Sequence, residues 1–422
     1  MPFRIALSGL NAASSDLKAT GNNIANASTT GFKSSRTEFV DVFSVGYGGI
    51  SSTAIGGGVR LAAVTQQFSQ GNVDFTDNNL DIAINGQGFF VLSDGGARVL
   101  SRAGAFSSDR DGYIVNSSGQ RLQVFPSITT ASGVTFDTGR LSDLQLATSE
   151  GTPRATDEIS SKLNLDASET VPLVAFNPAL ATPDPDSYNS STSLTIYDSL
   201  GAQHSATQYF VKNGSNDWSV HLKIDGAAIT DSPVHLVFTN QGVLSSAQNA
   251  SAVGANGVAP VGPTTTFTAA TGAQEIASLN LDFSTLTQYG SPFAVSALQQ
   301  TGYATGRLSG IDIDAEGIIS ARYTNGQSQT LGKVALANVA NPQGLSPQGD
   351  TVWGETFGAG DLVLGEAGTS SFGMMQSGAL EASNVDIAAQ LVNLITAQRN
   401  FQANAQVIST ADTVTQTIIN IR

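Results

Sequence analysis

The sequence predicts a mainly β protein with α-helical termini, in which discontinuous, nested β domains are inserted between an N-terminal and a C-terminal coiled-coil-forming helix. Three observations carry this reading. Apolar residues repeat every seven positions at the two ends of the chain. Short alternating runs bounded by Gly, Asn and Asp fill the middle. Glycine, at 44 of 422 residues, exceeds the usual ~7% and calls for many tight turns.

At the start, Phe3, Leu10, Leu17 and Ile24 recur at a seven-residue period, with Leu7 between the first two. Such spacing marks one stripe of a helix of coiled-coil type. The interleaved positions after Leu7 are Ser14, Gly21 and Ser28, so the second half of the stripe is weak. Gly31, after Thr29 and Thr30, suits a left-handed helix stop. Gly21-Asn22-Asn23 is a poor helical interior and points to an earlier end.

The C-terminal stripe is stronger. Ser383 and Asn384 are N-cap candidates, with Asp386 as an acid in the first turn. Ile387, Leu394, Phe401 and Ile408 repeat every seven residues, with Leu391 and Ala405 between, and the stripe then shifts to Val407, Ala411, Val414, Ile418 and Ile421. Residues 384–422 contain neither Gly nor Pro; as one helix they would span about 58 Å at ~1.5 Å per residue. The polar face of this stretch is amide and hydroxyl, with Asp386, Arg399, Asp412 and Arg422 as its charges. A solvated helix usually carries Lys and Glu pairs, so neutral amides suit a face that meets other helices or an uncharged water-filled surface. The two stripes are expected to meet, bringing the chain ends together.

Between them the pattern is β. Leu80-Asp81-Ile82-Ala83-Ile84 alternates before the turn Gly86-Gln87-Gly88. Val220-His221-Leu222-Lys223-Ile224 alternates between the turn signals Asn213-Gly214 and Asp225-Gly226. Ile311 and Ile313 precede a hairpin signal at Asn325-Gly326, followed by Val334, Leu336 and Val339. The echo Asp109-Arg110-Asp111-Gly112 and Asp314-Ala315-Glu316-Gly317 reads as two hairpin turns of one domain built from separated segments. Residues 146–283, with the loop Thr182-Pro183-Asp184-Pro185-Asp186 and the Ala/Gly/Ser/Thr-rich stretch 245–271, read as an insertion. The expected division is 1–30 and 384–422 as a terminal helical domain, 31–70 and 364–383 as an extended connection, 71–145 and 284–363 as an inner β domain, and 146–283 as an outer one.

Composition excludes several functions. Lys+Arg 19 against Asp+Glu 34 gives a net charge of −15, which argues against nucleic-acid or anionic-membrane partners. With no cysteine and only three histidines, disulfides, thiolate chemistry and Cys-based zinc sites are excluded and a His-based metal cluster is not expected. Apolar runs such as Phe89-Phe90-Val91-Leu92 are far below the ~18 residues that cross a membrane. Ser8 and Gly9 interrupt the start before a signal-peptide core forms, so the expectation is a cytoplasmic protein or one exported without a cleaved signal.

Candidate chemistry reads blandly. Gly56-Gly57-Gly58 and Gly86-Gln87-Gly88 lack the spacing of a phosphate loop and read as turns or linkers. Asp109 to Gly112 has its glycine fourth, where a calcium loop needs it sixth. Asp184 and Asp186 read as a solvated loop. His221 and His235 are placed to face each other across a sheet, with a surface or satisfied imidazole as the default for them and His204. No Ser stands in a G-x-S-x-G setting and Asn189-Ser190-Ser191 is a glycosylation sequon by pattern only. No catalytic, cofactor or metal site is expected.

Longer motifs point to a family. Leu7-Ser8-Gly9-Leu10-Asn11-Ala12-Ala13, Thr20-Gly21-Asn22-Asn23-Ile24-Ala25-Asn26 and Thr30-Gly31-Phe32-Lys33 resemble the N-terminal signature of bacterial flagellar rod and hook proteins. Ser377 to Asp386 and Ala397-Gln398-Arg399-Asn400-Phe401-Gln402-Ala403-Asn404-Ala405 resemble the matching C-terminal end. The large insertion, Leu281-Asp282-Phe283-Ser284-Thr285-Leu286-Thr287-Gln288-Tyr289 and Ala335 to Leu345 are similar to the hook branch, whereas the distal rod protein is shorter and lacks a large insertion. Residues 146–280 match loosely.

The resemblance implies a subunit of a flexible tubular universal joint that passes motor torque to a filament, with terminal helices lining the inner tube and β domains stacked outward. It implies as partners further copies of the chain, a hook-cap protein, the distal rod protein, hook–filament junction proteins and the flagellar type III export apparatus, which reads no cleaved signal. No cofactor, nucleic acid or membrane insertion is implied. Phe3, Leu7, Leu10, Leu17, Ile24, Ile387, Leu391, Leu394, Phe401 and Ile408 are the expected subunit contacts. The competing readings are a distal rod-type axial protein and, in a different class, a secreted β-rich adhesin or enzyme.

Overall fold

The computed structural model describes residues 2–43, 56–130, 133–146, 151–229, 232–248, 253–254, 258–261, 272–274, 279–369 and 371–420. Residues 44–55 of the expected connection 31–70, and most of 245–271, lie outside them. The chain divides into two compact units: Met1–Thr148 with Ser309–Arg322 and Ser328–Arg422, and Ser149–Leu308 with Tyr323–Gln327. The fold is mainly β, with one helix at each end, as the sequence predicts.

In the first unit, α1 (Pro2–Ala25) packs along α2 (Ile387–Asn420). Helix α1 runs through Gly21-Asn22-Asn23 because tertiary bonds offset poor local propensity. The Asn23 side chain is buried, donates to the Ser35 carbonyl at 2.8 Å and accepts from the Ser35 N–H at 2.8 Å. Gly31 has φ +69 but lies beyond the helix, in the turn that follows Ala25. The α2 cap is Asp386, whose Oδ1 accepts from the N–H groups of Ala388 and Ala389. Asn384, a cap candidate by sequence, instead accepts from Ser34 N–H at 2.7 Å and donates to the Gln67 carbonyl at 2.7 Å. It ties three chain segments where the helices meet the β body.

The outgoing and returning chains then pair. Strand Ser35–Asp41 forms a hairpin with Val59–Gln66, Val73–Phe75 pairs antiparallel with Ala379–Glu381, and Ile82–Asn85 with Met374–Ser377. The main sheet carries Ser328–Val334, Arg121–Thr130, Phe89–Asp94, Ala97–Ser101, Val352–Gly354 and Ser346–Gly349 in that spatial order. Phe89, Val91, Leu100, Phe125, Ala337 and Trp353 form one core against it. Both Asp-x-x-Gly echoes are hairpin turns. Asp109 Oδ1 accepts from the N–H groups of Asp111 and Tyr113, Asp314 Oδ1 accepts from Ile318 N–H, and Gly112 and Gly317 supply φ of +83 and +80.

The second unit has two sheets around one core. Ser190–Tyr197, Gln203–Gly214, Asp217–Ile224, Val234–Phe238 and Leu244–Gln248 run antiparallel in sequence order. In the other sheet, Glu158–Asp166 pairs parallel with Leu279–Asp282 and Thr287–Tyr289, and antiparallel with Ala294–Gln300. Residues 284–308 fall in this unit through that last pairing. Ile159, Leu163, Phe210, Trp218, Val220 and Leu281 fill the space between the sheets, the inward half of each alternating strand.

Candidate subunit interface

The two terminal helices meet along a narrow seam, lined by small side chains on α1 and by small and large ones in turn on α2. On α1, Ala6, Ala13 and Thr20 are buried at seven-residue spacing, with Asn23 one turn on. On α2 the covered line is Gln390, Leu394, Ala397, Phe401, Asn404, Ile408 and Ala411, alternating three and four as a knobs-into-holes seam requires. Ala397 is 1% exposed. At Gly9 a Cβ atom would stand 2.4 Å from Asn404 Oδ1, so glycine there permits the close approach. Asn23 Nδ2 also donates to Gln390 Oε1 at 3.3 Å, closing the seam with amides.

The predicted contact residues divide into two sets. Leu394, Phe401 and Ile408 lie in the seam and Leu10, Leu17 and Ile24 beside it, all half-buried. Phe3 (41%), Leu7 (53%), Ile387 (51%) and Leu391 (47%) face outward. Val392, Ile395, Val407 and Val414, none of them among the predicted contacts, are exposed as well. Burying one such side chain fully contributes ~1.5–3 kcal/mol, and these eight keep about half of their surface open among the described residues. The small-residue seam is what the sequence reading missed. Its signal is the period of Ala6, Ala13 and Thr20, hidden by attention to large residues.

Below the helices lies a buried charge cluster. The Lys33 ammonium stands 2.5 Å from Glu381 Oε1 and donates to the Ser69 carbonyl at 2.8 Å. Arg102 Nη1 stands 3.1 Å from Glu381 Oε2, and its Nη2 donates to the Gly86 carbonyl at 2.7 Å. Gly71 N–H donates to Glu381 Oε1 and Gly31 N–H to the Glu381 carbonyl. Side-chain exposure is 0% for Lys33 and Glu381 and 6% for Arg102. Burial holds both cations below their usual pKa, against the pull of Glu381. One carboxylate thus joins four stretches of chain: 31–33, 69–71, 84–102 and 381. In a chain with 13% charged residues, Lys33 and Glu381 inside the terminal motifs were the available sign.

The remaining candidates are local. Asp184 Oδ1 caps Asp186 N–H. His204 sits between Asp198 and Asp225, and His235 lies 3.3 Å from Ser219 Oγ. Among the described residues no group of His, Asp and Glu has the arrangement of a metal site, and no helix is long and apolar enough to cross a membrane.

With this geometry in view, comparison with known proteins is decisive. The chain is 37% identical over 427 residues to the flagellar hook protein FlgE of Escherichia coli (strain K12), covering 100% of both chains. This chain belongs to the bacterial flagellar hook protein family. The hook protein FlgE of Salmonella typhimurium is also 37% identical, again over 100% of both chains, and that of Borreliella burgdorferi is 32% identical over 99% of this chain and 98% of the relative. Family matches run along the sequence: flagella basal body rod protein at 3–33, flagellar hook protein FlgE/F/G D1 domain at 83–152, flagellar basal body protein FlaE D2 domain at 164–303, and flagellar basal body rod FlgEFG protein C-terminal at 376–421. The crystal structure of the Helicobacter pylori flagellar hook protein FlgE2 has the same fold, with a TM-score of 0.50 at 14% identity, covering 73% of this chain and 100% of that one.

Proposed function

We propose that this hook-family chain assembles into a flexible tube through its terminal helices, as the universal joint between motor and filament. The observation that carries the reading is the division of labour on α1 and α2. Small residues of α1 pack on Leu394, Ala397, Phe401 and Ile408 of α2 inside one chain, and a second set of large apolar residues is left facing outward. Phe3, Leu7, Ile387 and Leu391 meet neighbouring copies, while Leu10, Leu17, Ile24, Leu394, Phe401 and Ile408 straddle the seam and its rim. Residues 1–30 and 384–422 line the tube; 31–70 with 364–383 connect them to an inner domain of 71–145 and 309–363; and the outer domain runs from 146 to 308, because Thr287–Tyr289 and Ala294–Gln300 pair with its strand Glu158–Asp166.

In this reading torque crosses from helices to β body at Glu381, where Lys33, Arg102 and Asn384 tie the segments by short buried bonds. The outer domain, poor in charge and rich in Ser, Thr, Asn and Gln, slides on its neighbours without breaking strong ion pairs. The chain leaves the cell through the type III export apparatus without a cleaved signal, grows beneath a hook-cap protein on the distal rod protein, and ends at the junction proteins. Its role is structural, with no enzymatic activity.

The test pairs Ile387→Lys with Leu391→Lys. Both side chains are exposed in the single chain, so folding measured by circular dichroism stays unchanged. Electron microscopy of the purified variant then shows no tubes. Normal tubes would refute the interface.

A further inference from the structure

In the second unit a 3-10 turn, Pro185–Ser187, is the one regular element in the long strap of residues 167–189. The strap covers the outer face of the antiparallel sheet, opposite the core side chains Val220, Leu222 and Ile224. It is held at its start by the Lys212 ammonium, which donates to the carbonyls of Ala167 at 2.7 Å and Glu169 at 2.8 Å. At its end Asn189 Nδ2 donates to the Thr170 carbonyl at 2.8 Å. In the middle, the Lys223 ammonium donates to the carbonyls of Pro178, Leu180 and Gly226. Beside it the Phe176 ring stacks on His221, with centroids 4.0 Å apart and planes at 20°. Tyr209, opposite His221 across the sheet, touches Phe176 and Tyr188.

The middle of the strap therefore rests on one imidazole in a cationic setting. His221 Nδ1 is buried with no hydrogen-bond partner among the described residues. The charges that act on His221 are His235, from the adjoining strand, and Lys223, from its own. The other titratable groups on the elements packed here are His204, Tyr209 and Lys212 on strand Gln203–Gly214, Asp217 at the start of His221's strand, and Glu169, Asp184, Asp186 and Tyr188 on the strap; His204 is held by Asp198 and Asp225. Glu169 is engaged by Asn189 and Asp184 by Asp186 N–H. Protonation would give Nδ1 a proton with no acceptor, next to cations and without a facing carboxylate. A cation over a Phe ring recovers ~0.5–1 kcal/mol, too little to offset both costs.

We propose that the strap is an acid-released cover: proton uptake by His221 breaks its stack on Phe176 and lifts residues 171–182 from the sheet, while Lys212 and Asn189 keep the two ends attached. Burial, followed by His235 and Lys223, lowers the His221 pKa from 6.5 to about 4. A released His221 returns to the ordinary value. The open fraction then grows as pH falls below ~6.5, by up to about 30-fold at pH 5 and about 150-fold at pH 4.

The experiment is NMR on the full chain from pH 7 to pH 4, following the His221 imidazole and its nuclear Overhauser contact with the Phe176 ring. In the native protein the imidazole titrates well below 6.5 and the ring contact is lost as it does, while the amide resonances of strand Asp217–Ile224 keep their positions. His221→Phe, which keeps a stacking ring that cannot protonate, removes the pH dependence. His221→Gln, a smaller neutral replacement, does the same. Lys223→Met opens the strap at every pH. A Phe176–His221 ring contact that persists at pH 4, the same pH-dependent opening in both His221 variants, or an imidazole that titrates near 6.5 would overturn the proposal.

Discussion

Replacing Glu381 by Gln keeps the side chain's shape and removes its charge, leaving Lys33 and Arg102 buried without an anion. Lys33 is fully buried and Arg102 nearly so, so neither cation recovers by turning to water. Breaking a buried ion pair from one side costs ~3–5 kcal/mol, a large part of the ~5–15 kcal/mol that holds a domain folded. For a unit of this size, ~2–4 °C per kcal/mol gives a fall in Tm of about 6–20 °C. The chain's two tryptophans provide the assay, because Trp353 is buried in the first unit and Trp218 in the second. In a Trp218→Phe background, urea unfolding followed by Trp353 fluorescence reports the first unit, and the midpoint moves at unchanged slope. The triple replacement Lys33→Met, Arg102→Met, Glu381→Leu regains most of the loss, because apolar groups of similar volume carry no desolvation penalty. A loss below ~1 kcal/mol in Glu381→Gln, the value of an exposed pair, would refute the clamp.

Three further outcomes are expected. Gly31→Ala destabilises the first unit by more than ~2 kcal/mol, measured by the same unfolding: φ is +69 and the new Cβ would stand 2.4 Å from the Ala103 backbone nitrogen, adding a clash to the ~1–2 kcal/mol of a left-handed conformation; a neutral result would contradict the packing. Limited proteolysis of the monomer cuts first within residues 1–30 and 390–422, because helices with bare apolar faces bury too little to offset chain entropy, and the polymer protects both; resistant ends in the monomer would count against the interface. Excising residues 152–305 joins Gly151 to Gly306, whose backbones already bond at 2.8 Å, and tubes still form with altered curvature or stiffness under the electron microscope; complete loss of assembly would show that the outer unit is required.

Local patterning was enough to read the helices at both ends, the β character between them and the hairpin turns at Asp109 and Asp314. These are local: heptad spacing, period-two alternation and an Asx–Gly turn are each written within about ten residues. It also carried the family, through motifs at the two ends. Which helix faces meet is set by packing between the two ends of the chain. Ala6, Ala13 and Thr20 took the seam ahead of Phe3 and Leu7 because two long helices approach most closely through small side chains, and the stripe of large residues is left to the side. Only the tertiary structure brought Lys33, Arg102 and Glu381 together, since three charges separated by up to 348 positions have no local pattern. The same holds for Asn384, whose helix-capping chemistry was legible but whose carboxamide is spent on Ser34 and Gln67. Spacing along a chain fixes which faces an element offers; which of those faces is covered depends on neighbours that are remote in sequence.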